Sequence, residues 1–471
     1  MIPLRFKDTS RGDRDLIFVD DGGQSFLASQ SFLNRYVFQN LNENDVDFLR
    51  AEGFAGCSNT GQPSVANAYR FAQRHHLPNT IDYFILVPTL RCNLACSYCQ
   101  VSRVAENARG FDWTDQIADD AIKLICTTGA PTVKLEFQGG EPTLRLDLIK
   151  RVIDSVEKTG RNVEAVICTN LGELSSDLRT LLGRGNVYIS TSFDGSEKKH
   201  TVQRTGSAEA TARTLKNIKD VIENFGQSRV SALPTIDANS PPDPDTLIDE
   251  YLALGMNSIY LRPINFQGFA RKKHDAARTG QERWFDYYLA VVRRMIERNF
   301  HEGKALEEFY MAHCLRRIFR PRANGHADLR NPNPLGLDYF VIDHDGRLFP
   351  SDEARMIDRT GDVDMSIGDV HSGLDGSKVL ALSELALNDF DPDCIHCAYQ
   401  PFCGSDPIDS ISRYGRTDQP RHDQYFCQQQ TMIFDFLFEM LAQPTAEQAY
   451  TLALWLGLPA IPDTFLKVHH D

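Results

Sequence analysis

The chain is predicted to be an α/β protein with a core of parallel β/α units, a small α+β module before it and a cysteine-bearing region after it. Three observations carry that prediction. Between residues 81 and 300, strand-like apolar runs alternate six times with helical patterns, the mark of repeated β/α units. The 471 residues exceed what one ordinary core holds. Both flanks differ in character, because the first eighty residues show a separate pattern and the chain beyond residue 300 turns rich in Arg, Asn and Pro and then in cysteine.

Taken in order, residues 1–80 begin with an apolar hairpin pattern over 15–28 around Asp21-Gly-Gly23, followed by one or two helices over 30–52. This module suits either peptide docking or a lid over the core. Core strands are expected at 83–89, 133–138, 163–169, 187–193, 229–234 and 258–263. The helices between and after them are expected at 113–128, 146–158, 176–182, 208–224, 244–254 and 281–300, so the core runs over 81–305. The region 306–430 holds a polar stretch over 316–333, a hairpin over 339–350 turning at Asp343-His-Asp-Gly346, and a cluster of cysteines. Helical spacing at 432–441 and 447–456 gives the stretch 431–471 a pair of packing helices.

Composition narrows the function class. Hydrophobic residues at 42% and charged residues at 24% are ordinary globular values, so neither disorder nor membrane embedding is indicated. The start, Met1-Ile-Pro-Leu-Arg-Phe-Lys-Asp8, lacks the apolar run of a signal peptide, and a cytoplasmic protein is expected. A net charge of −14 disfavours nonspecific nucleic-acid binding. Eleven cysteines in such a chain argue for metal or redox use rather than disulfides. Seven fall into motifs; Cys57, Cys126, Cys168 and Cys314 stand alone and read as small buried apolar residues.

The strongest motif is Cys92-x3-Cys96-x2-Cys99, which begins three residues after the first core strand. A zinc site normally closes with a fourth Cys or His nearby, and none stands near Cys99. Three thiolates on a four-iron cubane leave one iron open to a small molecule. The spacing resembles the signature of radical S-adenosylmethionine (SAM) enzymes. That resemblance implies a partial, TIM-like (β/α)6 barrel, with reactive residues at the carboxyl ends of its strands. It also implies a [4Fe–4S] cluster whose open iron binds SAM and whose electron releases a 5′-deoxyadenosyl radical.

Further residues fit the same resemblance. Gln138-Gly-Gly-Glu-Pro142 ends the second strand and is similar to the motif that receives the SAM amino group; Gly139 and Gly140 allow close backbone approach and Glu141 offers a carboxylate. Cys168-Thr-Asn170 and Ser190-Thr-Ser-Phe-Asp-Gly195 end the third and fourth strands, where Thr169, Asn170 and especially Ser192 match contacts to ribose and the methionyl group. Asp194 and Gly195 read as turn formers. His200-Thr-Val-Gln-Arg204 resembles a stretch whose arginine pairs with the SAM carboxylate, although a lone arginine is as often a solvated surface group. Tyr98 is expected near the adenine.

Cys394-x2-Cys397-x5-Cys403 with Cys427 gives a second set of four thiolates, which suits either a closed [4Fe–4S] cluster or structural zinc. The arrangement resembles the SPASM/twitch extension of radical SAM peptide maturases, which implies an auxiliary cluster. One such cluster is expected and not two. Asp406 and Pro407 stand where a further cysteine would follow, Ser351 stands where a ligand is expected, and Cys314 has too few companions. Asp352 matches an aspartate that accepts a proton during substrate oxidation in related maturases; a turn-stabilising aspartate is the plainer reading.

The strings 88–103, Tyr339-Phe-Val-Ile-Asp343 and Pro350-Ser-Asp-Glu-Ala-Arg355 resemble the His-Xaa-Ser system radical SAM maturases called HxsB. The resemblance implies a ribosomal precursor peptide as substrate, a second radical SAM maturase as partner and an electron donor such as flavodoxin or ferredoxin. It implies no nucleic acid and no membrane. Two other readings stand beside it: a radical SAM enzyme on a small metabolite, and a non-catalytic iron–sulfur electron carrier.

Overall fold

A computed structural model describes residues 3–8, 16–55, 65–76, 80–274, 281–320, 333, 335–361 and 363–471. Cys57 and most of the polar stretch 316–333 lie outside the described residues, as does the first residue of the hairpin pattern 15–28.

Five parallel strands form the core: Tyr83–Thr89, Thr132–Gly139, Asn162–Cys168, Val187–Ser192 and Val230–Leu233. The first is buried along nearly its whole length, as a continuous apolar strand between two covered faces should be. The others alternate. In Thr132–Gly139, Val133, Leu135 and Phe137 face the surrounding helices, while Lys134, Glu136 and Gln138 face an internal cavity. Helices Asp115–Thr127, Leu146–Glu157, Ser176–Leu182, Ala208–Phe225 and Pro244–Ala253 cover the outer face, within two residues of the expected bounds. Thr114, Ser175, Ser207 and Asp243 cap four of them, each accepting from a backbone N–H of the first turn.

The sixth strand departs from expectation. It is split into Ser258–Ile259, paired with Glu307–Glu308, and Arg262–Pro263, paired with Thr235–Ile236. Pro263, and Pro234 just before its partner strand, carry no N–H to donate, so the Arg262–Pro263 segment sustains no long ladder. The main sheet grows on its other side instead. Strand Tyr339–Ile342 lies parallel to Tyr83–Thr89, and Arg347–Phe349, Gly368–Asp369 and Gly373–Leu374 complete a nine-stranded sheet.

At the other end of the molecule, antiparallel strands Leu4–Asp8, Leu16–Asp20 and Ser25–Ala28 pack on helices Gln30–Val37 and Glu43–Ala51 around Phe18, Phe26, Phe32 and Phe54. A further helix, Val65–Arg74, packs by polar residues: Asn67 and Arg74 are buried while Val65 and Tyr69 are exposed. Strand Lys467–Val468 joins this small sheet in parallel against Phe26 and Leu27. Helices Tyr425–Ala442 and Ala446–Leu456 pack against the core. Among the described residues no helix is long and apolar enough to cross a membrane.

One buried acid bears on stability. Glu308 is fully buried, accepts from the Tyr288 hydroxyl and from the N–H groups of Leu261 and Met311, and burial lifts its carboxyl from 4.5 to about 7. A carboxyl with a raised folded value binds its proton more tightly when folded, so its contribution to stability is lost as pH rises from 4.5 through about 7. Denaturant unfolding should show a decline of ~3 kcal/mol across that window, and Glu308→Gln should flatten it.

Candidate active site

The three-cysteine loop leaves the sheet at Thr89 and is seated by backbone contacts. Gly140 N–H donates to Thr89 O at 3.0 Å and Glu141 N–H to Arg91 O at 2.8 Å. A Cβ on Gly139 would lie 2.3 Å from Thr89 O, and one on Gly140 2.3 Å from Arg91 O and 2.5 Å from Leu90 O. Both glycines line the cavity, yet what they admit closely is the cysteine loop's own backbone. At the far end of the loop, Gly268 approaches Gln100 O so closely that a Cβ would sit 1.7 Å from it.

Cys92 is buried, and Cys96 and Cys99 are half-buried. Burial pushes the Cys92 thiol up to about 12, against a 3.4 Å contact from the Leu94 N–H. Burial also raises Cys96, with the Arg204 guanidinium opposing. Thiols this hard to ionise become thiolates at neutral pH when a metal centre takes them as ligands.

Tyr98 and Arg204 come together with Asp194, whose sequence context reads as a turn. Tyr98 donates to both Asp194 oxygens at 2.8 Å, and Arg204 Nη1 donates to Tyr98 Oη at 2.8 Å. Asp194 also accepts from the Thr235 N–H at 3.3 Å; burial raises its carboxyl, with Arg204 opposing. Ser97 N–H donates to Gln203 O at 2.8 Å, which fixes the cysteine loop to the Arg204 segment. Arg204 lines the cavity, and its Nε is buried without a hydrogen-bond partner, as a guanidinium awaiting a carboxylate would be.

Glu141 is placed differently from expectation. It is buried and joins strand ends: Oε1 accepts from Thr143 and from Thr169 Oγ1 at 2.7 Å, and Oε2 accepts from the Asn170 N–H at 2.8 Å. Asn170 Nδ2 then donates to Asn93 Oδ1 at 2.8 Å beside Cys92. Thr169, Asn170 and Ser192 line the cavity, as does Thr191, whose buried hydroxyl has no partner. Arg262 and Gln267 were missed by the sequence reading; each presents one buried, unpartnered polar atom and lines the cavity. The irregular sixth strand hid them, since no alternation marks its inward face.

The opposite wall comes from the hairpin and the helix after it. Ser351 caps helix Asp352–Thr360 by accepting from Ala354 N–H, and Asp352 starts the helix. Asp352 is buried and held by Arg355, with Nε at 2.8 Å and Nη2 at 2.7 Å from Oδ1. Burial raises the Asp352 carboxyl, with Arg355 opposing. One cavity of about 970 Å³ is lined by Cys92, Cys96 and Cys99 and also by Asp352. That is the top of the usual ~300–1,000 Å³ range for small-molecule sites, room for a cofactor and part of a second molecule.

The second cysteine group is assembled separately. Cys394 N–H donates to Asp391 O and Cys397 N–H to Cys394 O, each at 2.9 Å, and Cys403 closes the same turn onto Tyr399 O. Cys427 joins from the first turn of helix Tyr425–Ala442. Cys394 is pushed up to about 12, by burial first and then by the Asp391 carboxylate, while Cys403 and Cys427 are raised by burial first and then by neighbouring cysteines. Tetrahedral zinc with ~2.3 Å bonds would draw sulfurs to within ~4 Å. Among the described residues, the donor groups converging within 4.8 Å are Asp45, His469 and Asp471, and Asp343, His344 and Asp345; neither holds a cysteine. The four cysteines suit either a closed [4Fe–4S] cluster or structural zinc. Cys314 is fully buried in helix Phe309–Phe319.

Residues 86–240, about a third of the chain, match the model of the Radical SAM superfamily. A GTP 3′,8-cyclase of Mycobacterium sp. (strain KMS) is 29% identical over 175 residues, 35% of this chain and 45% of that protein. The radical SAM cyclopropyl synthase TigE of Paramaledivibacter caminithermalis is 24% identical over 153 residues, 30% of this chain and 32% of that protein. The chain thus spans less than half the length of these curated relatives. A solved structure of anSMEcpe with bound AdoMet and Cp18Cys peptide shares the fold, with TM-score 0.60 and 16% identity over 76% of this chain and 97% of that one. Residues 86–240 are thus a radical SAM domain by the family match, and the parallel β/α sheet that carries them has the fold of that structure.

Proposed function

We propose that the protein is a radical SAM enzyme that modifies a ribosomally made precursor peptide by hydrogen abstraction and oxidation, with a His-Xaa-Ser type peptide as substrate. The observation that carries this reading is that Cys92, Cys96 and Cys99 line the same cavity as a buried carboxyl, Asp352. Cys92, Cys96 and Cys99 would hold a [4Fe–4S] cluster with SAM on its open iron, and together these supply the 5′-deoxyadenosyl radical when bound. Arg204 offers its unpartnered Nε to the SAM carboxylate, and Tyr98 and Asp194 hold that guanidinium in place. Ser192, Thr169 and Asn170 border the same space for ribose and methionyl contacts. Gly139, Gly140 and Glu141 seat the loop from behind.

Asp352 takes the proton that leaves the substrate as it is oxidised, because burial has already raised its affinity for one and Arg355 keeps it aimed. Cys394, Cys397, Cys403 and Cys427 would hold one auxiliary [4Fe–4S] cluster as the electron's destination. A cytoplasmic location, a flavodoxin or ferredoxin donor and a second radical SAM maturase belong to the same reading. The fold shared with a structure holding a peptide supports a peptide substrate. The sequence likeness to GTP 3′,8-cyclases supports the alternative, a small metabolite.

The test is an anaerobic assay with dithionite, SAM and a His-Xaa-Ser repeat peptide, read by mass spectrometry. A peptide lighter by hydrogen, formed along with 5′-deoxyadenosine, is expected; turnover of a nucleotide with an unchanged peptide would transfer the reading to the metabolite class. Asp352→Asn should leave SAM cleavage intact while peptide oxidation falls by ~10²-fold or more.

A further inference from the structure

Two buried guanidiniums, Arg74 and Arg317, stand against the loop that carries Cys403, and neither lines the cavity described above. Arg74, the last residue of helix Val65–Arg74, sends every described hydrogen bond to a backbone carbonyl: Nε to Gly22 O at 2.6 Å, Nη1 to Arg317 O at 3.1 Å and Pro401 O at 3.2 Å, and Nη2 to Ile318 O at 3.2 Å and Gly23 O at 3.5 Å. Its guanidinium lies 4.8 Å from the centre of the Phe402 ring. Arg317, in helix Phe309–Phe319, donates from Nη1 to Phe402 O at 3.4 Å. The carbonyls of Pro401 and Phe402 thus receive both cations, and the next residue is Cys403, on whose thiol the Arg317 charge opposes the effect of burial.

The two charges are held together at a cost. Burial first, and then repulsion from Arg70 and Arg317, bring Arg74 down to about 10, with Asp20 opposing, so it stays charged at neutral pH. Asp20 is shared with Arg70 at 3.5 Å and with Asn67 at 2.7 Å. At the other end of the loop, Asp391 adds to the effect of burial on the Cys394 thiol, with Arg421 opposing from 2.8 Å off Asp391. Positive charge is therefore concentrated on the Cys403 side. Buried charge is costly unless a group of opposite sign lies near, and four thiolates on a metal centre supply that group.

We infer that Arg317 and Arg74 are tuning residues for the second cysteine site: their charge beside Cys403 favours the reduced, more negative state of a cluster held by Cys394, Cys397, Cys403 and Cys427, and so raises its reduction potential. The potential of such a cluster follows its net charge, its hydrogen bonds and its exposure. As the substrate radical is oxidised, its proton goes to Asp352 and its electron to this site; the two guanidiniums bias the second of these transfers. The inference rests on the auxiliary-cluster reading above and gives the electron a reason to take that direction.

The test is a redox titration read by electron paramagnetic resonance on anaerobically reconstituted full-length protein in the Cys96→Ala background, where the second site holds the iron. Arg317→Gln should lower the midpoint potential by at least 59 mV, tenfold in the equilibrium constant for one electron. Arg317→Lys keeps the charge and should change that constant by less than threefold. A smaller fall in Arg317→Gln, or an equal fall in Arg317→Lys, would overturn the inference, since a clamp that merely holds the loop needs shape and not charge. Should Arg317→Gln not fold, the isosteric Asp20→Asn decides: loss of the carboxylate that faces Arg74 must raise the constant at least threefold, and an unchanged or lower value overturns the inference. Zinc in place of iron at the second site would remove the auxiliary-cluster reading and this inference with it, whereas an unmoved potential in iron-loaded protein removes the inference alone, so the two failures are distinguishable.

Discussion

Cys96→Ala is expected to abolish SAM cleavage while the protein stays folded and keeps the iron of its second site. Changes to residues that merely support a metal ligand cost ~10–100-fold, so removal of a direct ligand should cost well beyond ~100-fold in 5′-deoxyadenosine formed. Cys96 is half-buried in a loop anchored elsewhere, through Leu90, Arg91 and Ser97, so the backbone around it does not depend on its thiol. Anaerobically reconstituted wild type should carry about eight irons per chain, and the variant about four. Undiminished 5′-deoxyadenosine from Cys96→Ala would remove this cysteine from the site. Four irons with one zinc in the wild type would remove the auxiliary electron acceptor and leave the radical chemistry in place.

Gly140→Ala should have nearly as large an effect for a different reason. The added methyl would sit 2.3 Å from Arg91 O and 2.5 Å from Leu90 O, both backbone atoms that no side-chain rotation can clear. Either the strand end carrying Gln138 and Gly139 shifts or the loop carrying Cys92 lifts. Iron at the first site should fall by more than half, with a loss of stability on the order of 2–4 kcal/mol from overpacking. Gly376→Ala is the control, since a Cβ there meets nothing within 4 Å. It should leave iron content and melting temperature unchanged. Iron loading in Gly140→Ala equal to that of the control would contradict the packing role given to this glycine.

Much of this was legible in the residues because it is local. Strand-like apolar runs such as Tyr83–Thr89 mark the core strands, and helical spacing between them marks the covering helices. The cysteine motifs declare themselves by spacing. What stayed hidden depends on contacts between distant parts of the chain. The pairing of Tyr339–Ile342 with the first core strand and of Lys467–Val468 with Phe26 and Leu27 has no local signal. Helix Val65–Arg74 reverses the usual pattern, because Arg74 is buried against backbone carbonyls of Gly22, Arg317, Ile318 and Pro401. Asp194 read as a turn residue since its partner, Tyr98, lies almost a hundred residues earlier. Glu141 matched a ligand-binding motif by position, and its contacts to Thr169 and Asn170, about thirty residues later, had no local signal.

The central claim is that the Cys92, Cys96 and Cys99 cluster keeps an iron to which SAM binds directly. It is tested most directly by electron paramagnetic resonance of the dithionite-reduced protein with and without SAM, in a Cys403→Ala background that silences the second site. The account predicts that SAM shifts the g-values of the remaining cluster and that SAM labelled with ¹⁷O at its carboxylate adds hyperfine coupling. A spectrum identical with and without SAM would contradict it.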